Sequence, residues 1–206
     1  MNKNNKGFTL VELLVVIAII GILAAVVAPN AFRAIEKSKV ARTINDMKAF
    51  KTAALAFYAD VGFFPADPTG GSPDWYRDPG LGASPVGDYS SQSIAALGFA
   101  SQSVYLDRVN SRWQGPYLDF PTTKRTAWGG RYDYECWGPG VGRANGVPDG
   151  IYITIHEITR ENAELLVELS PFEVAKGTGS SSGGIQTDDV ASGMYKVTLK
   201  ISDWLN

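Results

Sequence analysis

The alternation of apolar and polar residues changes character along the chain. Phe8 to Ala28 is a run of 21 residues in which only Thr9, Glu12 and Gly21 are not plainly apolar. About 20 such residues span a bilayer core as a helix. Past Pro29, the residues Ala31, Ile35, Ile44, Met47, Phe50, Ala54, Leu55 and Tyr58 recur mostly at three- and four-residue spacings, with Arg33, Lys37, Arg42, Lys48 and Lys51 between them. That spacing predicts an amphipathic helix with one packed and one wet face. The two stretches together predict a single helix of roughly 75 Å, with Gly21 and Pro29 marking where it can kink or open. It should stop at Gly62, because Phe63-Phe64-Pro65 and Asp67-Pro68-Thr69-Gly70-Gly71 are turn chemistry.

The remainder reads as a small mixed domain. A loop rich in Pro and Gly covers residues 65 to 92, and Ser91 to Leu97 predicts a short helix. A strand is expected around Tyr132 and Tyr134, after the Gly129-Gly130 turn. Ile151 to Ile155 and Tyr195 to Ile201 alternate most cleanly and predict the strongest strands. Between them lie a helix candidate, Arg160 to Leu169, and a Gly/Ser loop, Lys176 to Gly184. The expected fold class is α+β: an antiparallel sheet with one face covered by the long helix.

Charge and chemistry narrow the function. A chain of 206 residues with a formal charge of −2 carries no global basic field, so no nucleic-acid partner is expected. Residues 30 to 51 do hold six Lys or Arg against two acids, which reads as a solvated helical face or, more sharply, as a patch for an acidic partner. The lone cysteine, Cys136, allows no internal disulfide. His156, the lone histidine, is followed by Glu157 without the second histidine of a zinc-protease helix, and reads as a surface residue at a strand end. The stretch Gly138 to Gly146 lacks the Lys-Ser/Thr of a phosphate loop, and Gly177 to Gly184 has no nucleophile elbow. These absences predict a protein that is not an enzyme.

Glu12 is the anomaly. Three kinds of segment fit an apolar run of this length: a cleaved secretory signal, a permanent single-span anchor, and a helix that lies first in a membrane and later in a protein assembly. A secretory signal keeps its apolar region to about 7 to 15 residues, and a cut after Val26-Val27-Ala28 would put Pro29 at the acceptor position. An anchor tolerates a carboxylate near its end. Lys3 and Lys6 with the amino terminus precede the span while Arg33, Lys37, Lys39 and Arg42 follow it, so the flanking cations leave the topology nearly balanced.

Lys6-Gly7-Phe8-Thr9-Leu10-Val11-Glu12, followed by the apolar run and Pro29, resembles the amino terminus of type IV pilins and of the pseudopilins of type II secretion systems. The resemblance covers roughly residues 1 to 60 and implies a sequence of processing steps. A prepilin peptidase in the inner membrane removes a leader, Met1 to Gly7, by cutting between Gly7 and Phe8, and Phe8 is then N-methylated. Glu12 becomes the fifth mature residue, and its carboxylate meets the terminal amine of an adjacent subunit, fixing the stagger between copies. An unpaired ammonium in an apolar filament core would cost several kcal/mol, so a partner of opposite charge is physically required. The implied organisation is a leader at 1–7, a membrane and filament-core helix at 8–29, a stalk helix at 30–60 and a head at 61–206.

A second resemblance is narrower. Trp113-Gln114-Gly115-Pro116-Tyr117-Leu118 and Trp128 to Tyr134 are similar to segments in the head of the major pseudopilin, although Thr126-Ala127 stands where that family usually has Asp-Pro. Those pseudopilins hold calcium in a carboxy-terminal loop. Here that implies Asp188 and Asp189, with carbonyls of Gly183 to Thr187 and Asp149, since calcium takes about six to eight oxygens. The expected function is a structural subunit of a pilus-like or pseudopilus filament. Its expected partners are copies of itself, the prepilin peptidase, an inner-membrane assembly platform and the membrane. It would reside in the inner membrane before assembly and in a periplasmic or extracellular filament afterwards. The rival is a single-span, membrane-anchored binding domain that never polymerises.

Overall fold

The computed structural model describes residues 8–68, 79–82, 89–120, 124–138, 147–175, 184–189 and 193–204. Its first element, α1, runs from Leu10 to Val61 and passes through Pro29 without a break. Proline has no N–H to offer the carbonyl of Ala25, so one rung of the helix is missing there. α1 ends where the sequence requires: Gly62 takes φ 94° and donates its N–H to the Tyr58 carbonyl at 2.8 Å. A left-handed residue just past a helix end is the usual role of glycine.

The chain divides between Ser38 and Lys39 into two units. This boundary falls inside the segment 30–60 rather than at either of its ends. In the first unit, every described residue from Phe8 to Ile35 is exposed, including Leu13, Ile17, Ile20 and Leu23. The helix is long and apolar enough to cross a membrane.

The second unit is built on an antiparallel sheet. Its strands are β1 (Tyr132–Trp137), β2 (Gly150–Ile158), β3 (Glu173–Val174), β4 (Ile185–Asp189) and β5 (Met194–Asp203). The order is β1-β2-β5-β3, and β4 also pairs with β5. Alternation decides the faces. Tyr132, Tyr134 and Cys136 of β1, Ile151, Ile153 and Ile155 of β2, and Val197, Leu199 and Ile201 of β5 share one core with Met47, Phe50, Ala54, Phe57 and Val61 of α1. Each fully buried large side chain in that core stabilises by about 1.5–3 kcal/mol. The opposite face is polar, with Thr154 and Thr198 hydrogen-bonded to each other at 2.8 Å, and a small cluster of Val147, Tyr152 and Ala175 beside Trp137.

Three short helices complete the unit: α2 (Ser91–Ala96), α3 (Gln102–Asn110) and α4 (Arg160–Leu169). Each is capped by a hydroxyl: Ser90 accepts from Ser93 N–H, Ser101 from Val104 N–H and Thr159 from Asn162 N–H. β1 begins just after the expected turn, in which Gly129 N–H donates to the Thr126 carbonyl at 3.0 Å. α3, β3 and β4 form where no element was expected. Of the Gly/Ser loop expected at Lys176 to Gly184, only Gly184 lies within the described residues, and of the stretch Gly138 to Gly146 only Gly138 does.

Candidate assembly site and head framework

The amino-terminal site is built on the first turn of α1. Thr9 precedes the helix and Glu12 is its third residue. The Glu12 Oε2 accepts both the Thr9 N–H at 2.8 Å and the Thr9 hydroxyl at 2.8 Å. The Glu12 N–H in turn donates to Thr9 Oγ1 at 3.2 Å. This is a reciprocal capping box, in which Thr-x-x-Glu satisfies amides that the helix itself leaves unpaired. A carboxylate in this turn also faces the positive end of the helix dipole. The signal Thr9-x-x-Glu12 stands in the sequence, and a reading of Glu12 as an intersubunit partner alone passes over it.

Among the described residues, Glu12 Oε1 accepts no hydrogen bond. Among the described residues the carboxylate is therefore held by one oxygen alone. Phe8, beside it, is 83% exposed. Gly7 lies outside the described residues, and Pro29 is an exposed interior residue of α1.

Asp149 is not gathered with the other candidate metal ligands. Asp189 sits opposite Met194, at the start of β5, whereas Gly150, next to Asp149, sits opposite Asp203 at the other end of that strand. The length of β5, roughly 30 Å, separates the two positions. Asp149 therefore cannot share an ion with Asp188 and Asp189. Ile185 to Asp189 also form strand β4 rather than a loop, so their backbone is committed to a ladder with β5. Among the described residues no group of three or more His, Cys, Asp or Glu is placed to hold a metal.

The Trp113 to Leu118 segment has a framework role. Trp113 Nε1 donates to the Gly80 carbonyl at 2.8 Å, and the amides of Tyr117 and Leu118 both donate to the Leu81 carbonyl, at 2.7 and 2.9 Å. The Tyr117 hydroxyl donates to Asp60 Oδ2 at 2.8 Å, in the last turn of α1. The segment thus ties the end of the helix to residues 80–81.

Two buried polar centres are not foreseen by the sequence pattern. Asp46, grouped there with the solvated charges of α1, is buried: Oδ1 pairs with Lys124 Nζ at 2.6 Å and Oδ2 accepts from the Tyr132 hydroxyl at 2.9 Å. Burial first, then the Asp46 charge, raises the Tyr132 hydroxyl above its ordinary range and keeps it protonated as a donor. His156 is not a surface residue. It is 5% exposed, with Arg131 Nη2 at 3.1 Å from Nδ1 and Asp133 Oδ2 at 3.6 Å from Nε2. It stands beside a bulge in β2 where Glu157 adopts φ 57° and accepts from Arg131 Nη1 at 2.6 Å. Alternation past Ile155 puts His156 on the same face of the sheet as Thr154 and Asp133, and the ring is covered there by Arg131 and Asp133.

A family profile described as "Prokaryotic N-terminal methylation motif" matches residues 2–28, and one described as "PilW, C-terminal" matches residues 34–139, about half of the chain. The chain is 32% identical over 140 residues to the fimbrial protein EcpC of Eikenella corrodens, an alignment covering 66% of this chain and 84% of that one. The chain belongs to the type IV pilin family.

Two further relatives match over shorter stretches. The type IV major pilin PilA of Myxococcus xanthus is 44% identical over 59 residues, 29% of this chain and 27% of that protein. The type IV major pilin PilE of Neisseria gonorrhoeae is 42% identical over 69 residues, 34% of this chain and 41% of that one. No solved structure matches. Pilins and fimbrial proteins are structural subunits rather than enzymes. The fold agrees with this placement: a long amino-terminal helix on a small antiparallel sheet.

Proposed function

We propose that the chain is a filament-forming type IV pilin subunit, cut between Gly7 and Phe8, N-methylated at Phe8 and polymerised through α1. The observation that carries this reading is a carboxylate, Glu12, on the first turn of a helix whose residues from Leu10 to Ile35 are all exposed. An apolar surface of that length needs lipid before assembly and other copies of the helix afterwards. The carboxylate of Glu12 offers its second oxygen to the Phe8 amine of a neighbour, so each copy is held at one height. Pro29 contributes by leaving one rung of α1 unbonded within the packed region.

A surface filament is the destination favoured by the relatives, which are named as pilins and fimbrial proteins. The pseudopilus reading rests on the Trp113–Leu118 and Trp128–Tyr134 segments alone. The assembly platform in the inner membrane belongs to either destination. A calcium ion at Asp188 and Asp189, without Asp149, stays part of the proposal, supported by two adjacent acidic residues at the end of β4.

Intact mass of the mature protein tests the processing. Loss of residues 1–7 with one added methyl is the expected result, and an unprocessed functional chain would overturn it. Glu12→Ala should insert into the membrane normally yet fail to polymerise; filaments at the wild-type level from that variant would refute the role given to Glu12.

A further inference from the structure

Two exposed helical faces of the head-bearing unit carry opposite charge. On α1, Lys48, Lys51 and Leu55 lie at i, i+3 and i+7, so they form one row about 10 Å long. All three are exposed, and Leu55 shows 37% of its surface. Neither lysine makes an ion pair among the described residues, and Asp203, whose charge Lys51 feels, is paired with Lys200 at 2.6 Å. On α4, Glu161, Glu164 and Glu168 repeat the same i, i+3, i+7 spacing, and Leu169 beside them is 44% exposed. Ala163 and Leu166, on the other side of α4, are buried in the core, which fixes the glutamate row outward. Arg160 neutralises part of it by pairing with Glu164 at 2.9 Å, leaving an excess of two negative charges.

We infer that the Lys48–Lys51–Leu55 row of one copy docks on the Glu161–Glu164–Glu168 row and Leu169 of a second copy, forming a head-to-head contact within the filament. This rests on the filament reading above. Set side by side in the same direction, the equal spacing puts Lys48 against Glu161, Lys51 against Glu164 and Leu55 against Glu168, with Leu169 one residue further on. The two faces are different parts of the surface, so the contact is heterologous and propagates from copy to copy instead of closing into a dimer. Each ion pair at an exposed rim contributes little alone, but rows of opposite charge steer the two faces together and disfavour contacts between like faces.

Charge reversal in the full chain, expressed in cells that assemble it, tests the contact. Lys51→Glu and Glu164→Lys, each alone, should lower sheared filament yield by about tenfold or more, because like charges then face each other, while leaving the cellular amount of subunit unchanged. The two reversals combined in one chain should bring the yield back to within about threefold of wild type. Oxidised filaments from cells co-expressing Lys51→Cys and Glu164→Cys chains should contain a disulfide-linked dimer, to which the buried Cys136 does not contribute. Wild-type yields from both single reversals, or filaments without the dimer, would overturn the interface. The wild-type chain and Glu12→Ala, run alongside, separate the two levels: filaments of the wild-type chain that Glu12→Ala loses keep the filament reading intact even where the interface fails, and absence of filaments from the wild-type chain removes the filament reading itself.

Discussion

Replacing Asp46 with alanine removes the one carboxylate that joins α1, β1 and the segment around Lys124. Its Oδ2 accepts the Tyr132 hydroxyl at 2.9 Å and its Oδ1 the Lys124 ammonium at 2.6 Å, while Lys124 also lies 4.0 Å from the Phe120 ring centroid. The hydroxyl would be stranded in a buried place, which costs about 1–3 kcal/mol. Lys124 keeps 24% of its side chain exposed and can turn to water, so its loss is discounted to about 1 kcal/mol. The sum is about 3 kcal/mol, equivalent to a fall in Tm of roughly 6–12 °C for a unit of this size. The assay is denaturation of the full chain in detergent micelles followed by near-ultraviolet circular dichroism, which reads packing of the head aromatics. A double-mutant cycle with Tyr132→Phe should give a coupling of about 1 kcal/mol, since the hydroxyl is then gone before its acceptor is removed. Stability of Asp46→Ala within about 0.5 kcal/mol of wild type, the range of an ordinary surface change, would refute the assignment of Asp46 as a buried tie.

Three other outcomes are expected. Burial, and then the nearby Asp133 charge, push the Glu135 carboxyl up to about 8. A carboxyl raised in the folded state favours the fold while protonated, so stability should decline as pH rises from about 4.5 to about 8, by at most about 1.4 kcal/mol per pH unit; Glu135→Gln should flatten that decline, and an unchanged pH profile would remove the role of Glu135. Gly130→Ala should cost more than about 3 kcal/mol or prevent folding, since its Cβ would collide with the His156 carbonyl oxygen, whereas Gly129→Ala, with φ 90° and open space, should cost about 1 kcal/mol; equal Tm values for the two variants would contradict the close approach. Calcium should raise the Tm of the full chain and a chelator lower it, with Asp149→Ala responding as wild type does; a Tm indifferent to both additions would dismiss the ion.

Much of the fold is readable from local pattern. The extent of α1, its stop at Gly62 and the bounds of α4 follow from apolar spacing and from Gly and Thr at the ends, which are short-range signals. α3 is legible too, though only weakly, through Ser101 as a cap and Tyr105 and Val109 on one buried face. β4 has a different reason: Ile185-Gln186-Thr187-Asp188-Asp189 contains one apolar residue, and it becomes a strand because β5 pairs with it. Asp46 is illegible in principle, since its partners lie 78 and 86 residues away and only the tertiary fold supplies them. Glu12 stands out as an anomaly in an apolar run, yet its bond to Thr9 is a local one that needs no second chain.

The capping box at Thr9 and Glu12 bears on maturation. Every group that closes the first turn of α1 lies downstream of the proposed scissile bond. Trimming the leader would thus leave the helix wound to its start, with no refolding required between proteolysis and export from the bilayer. The cut changes only the charge at the tip, from an amide to an ammonium.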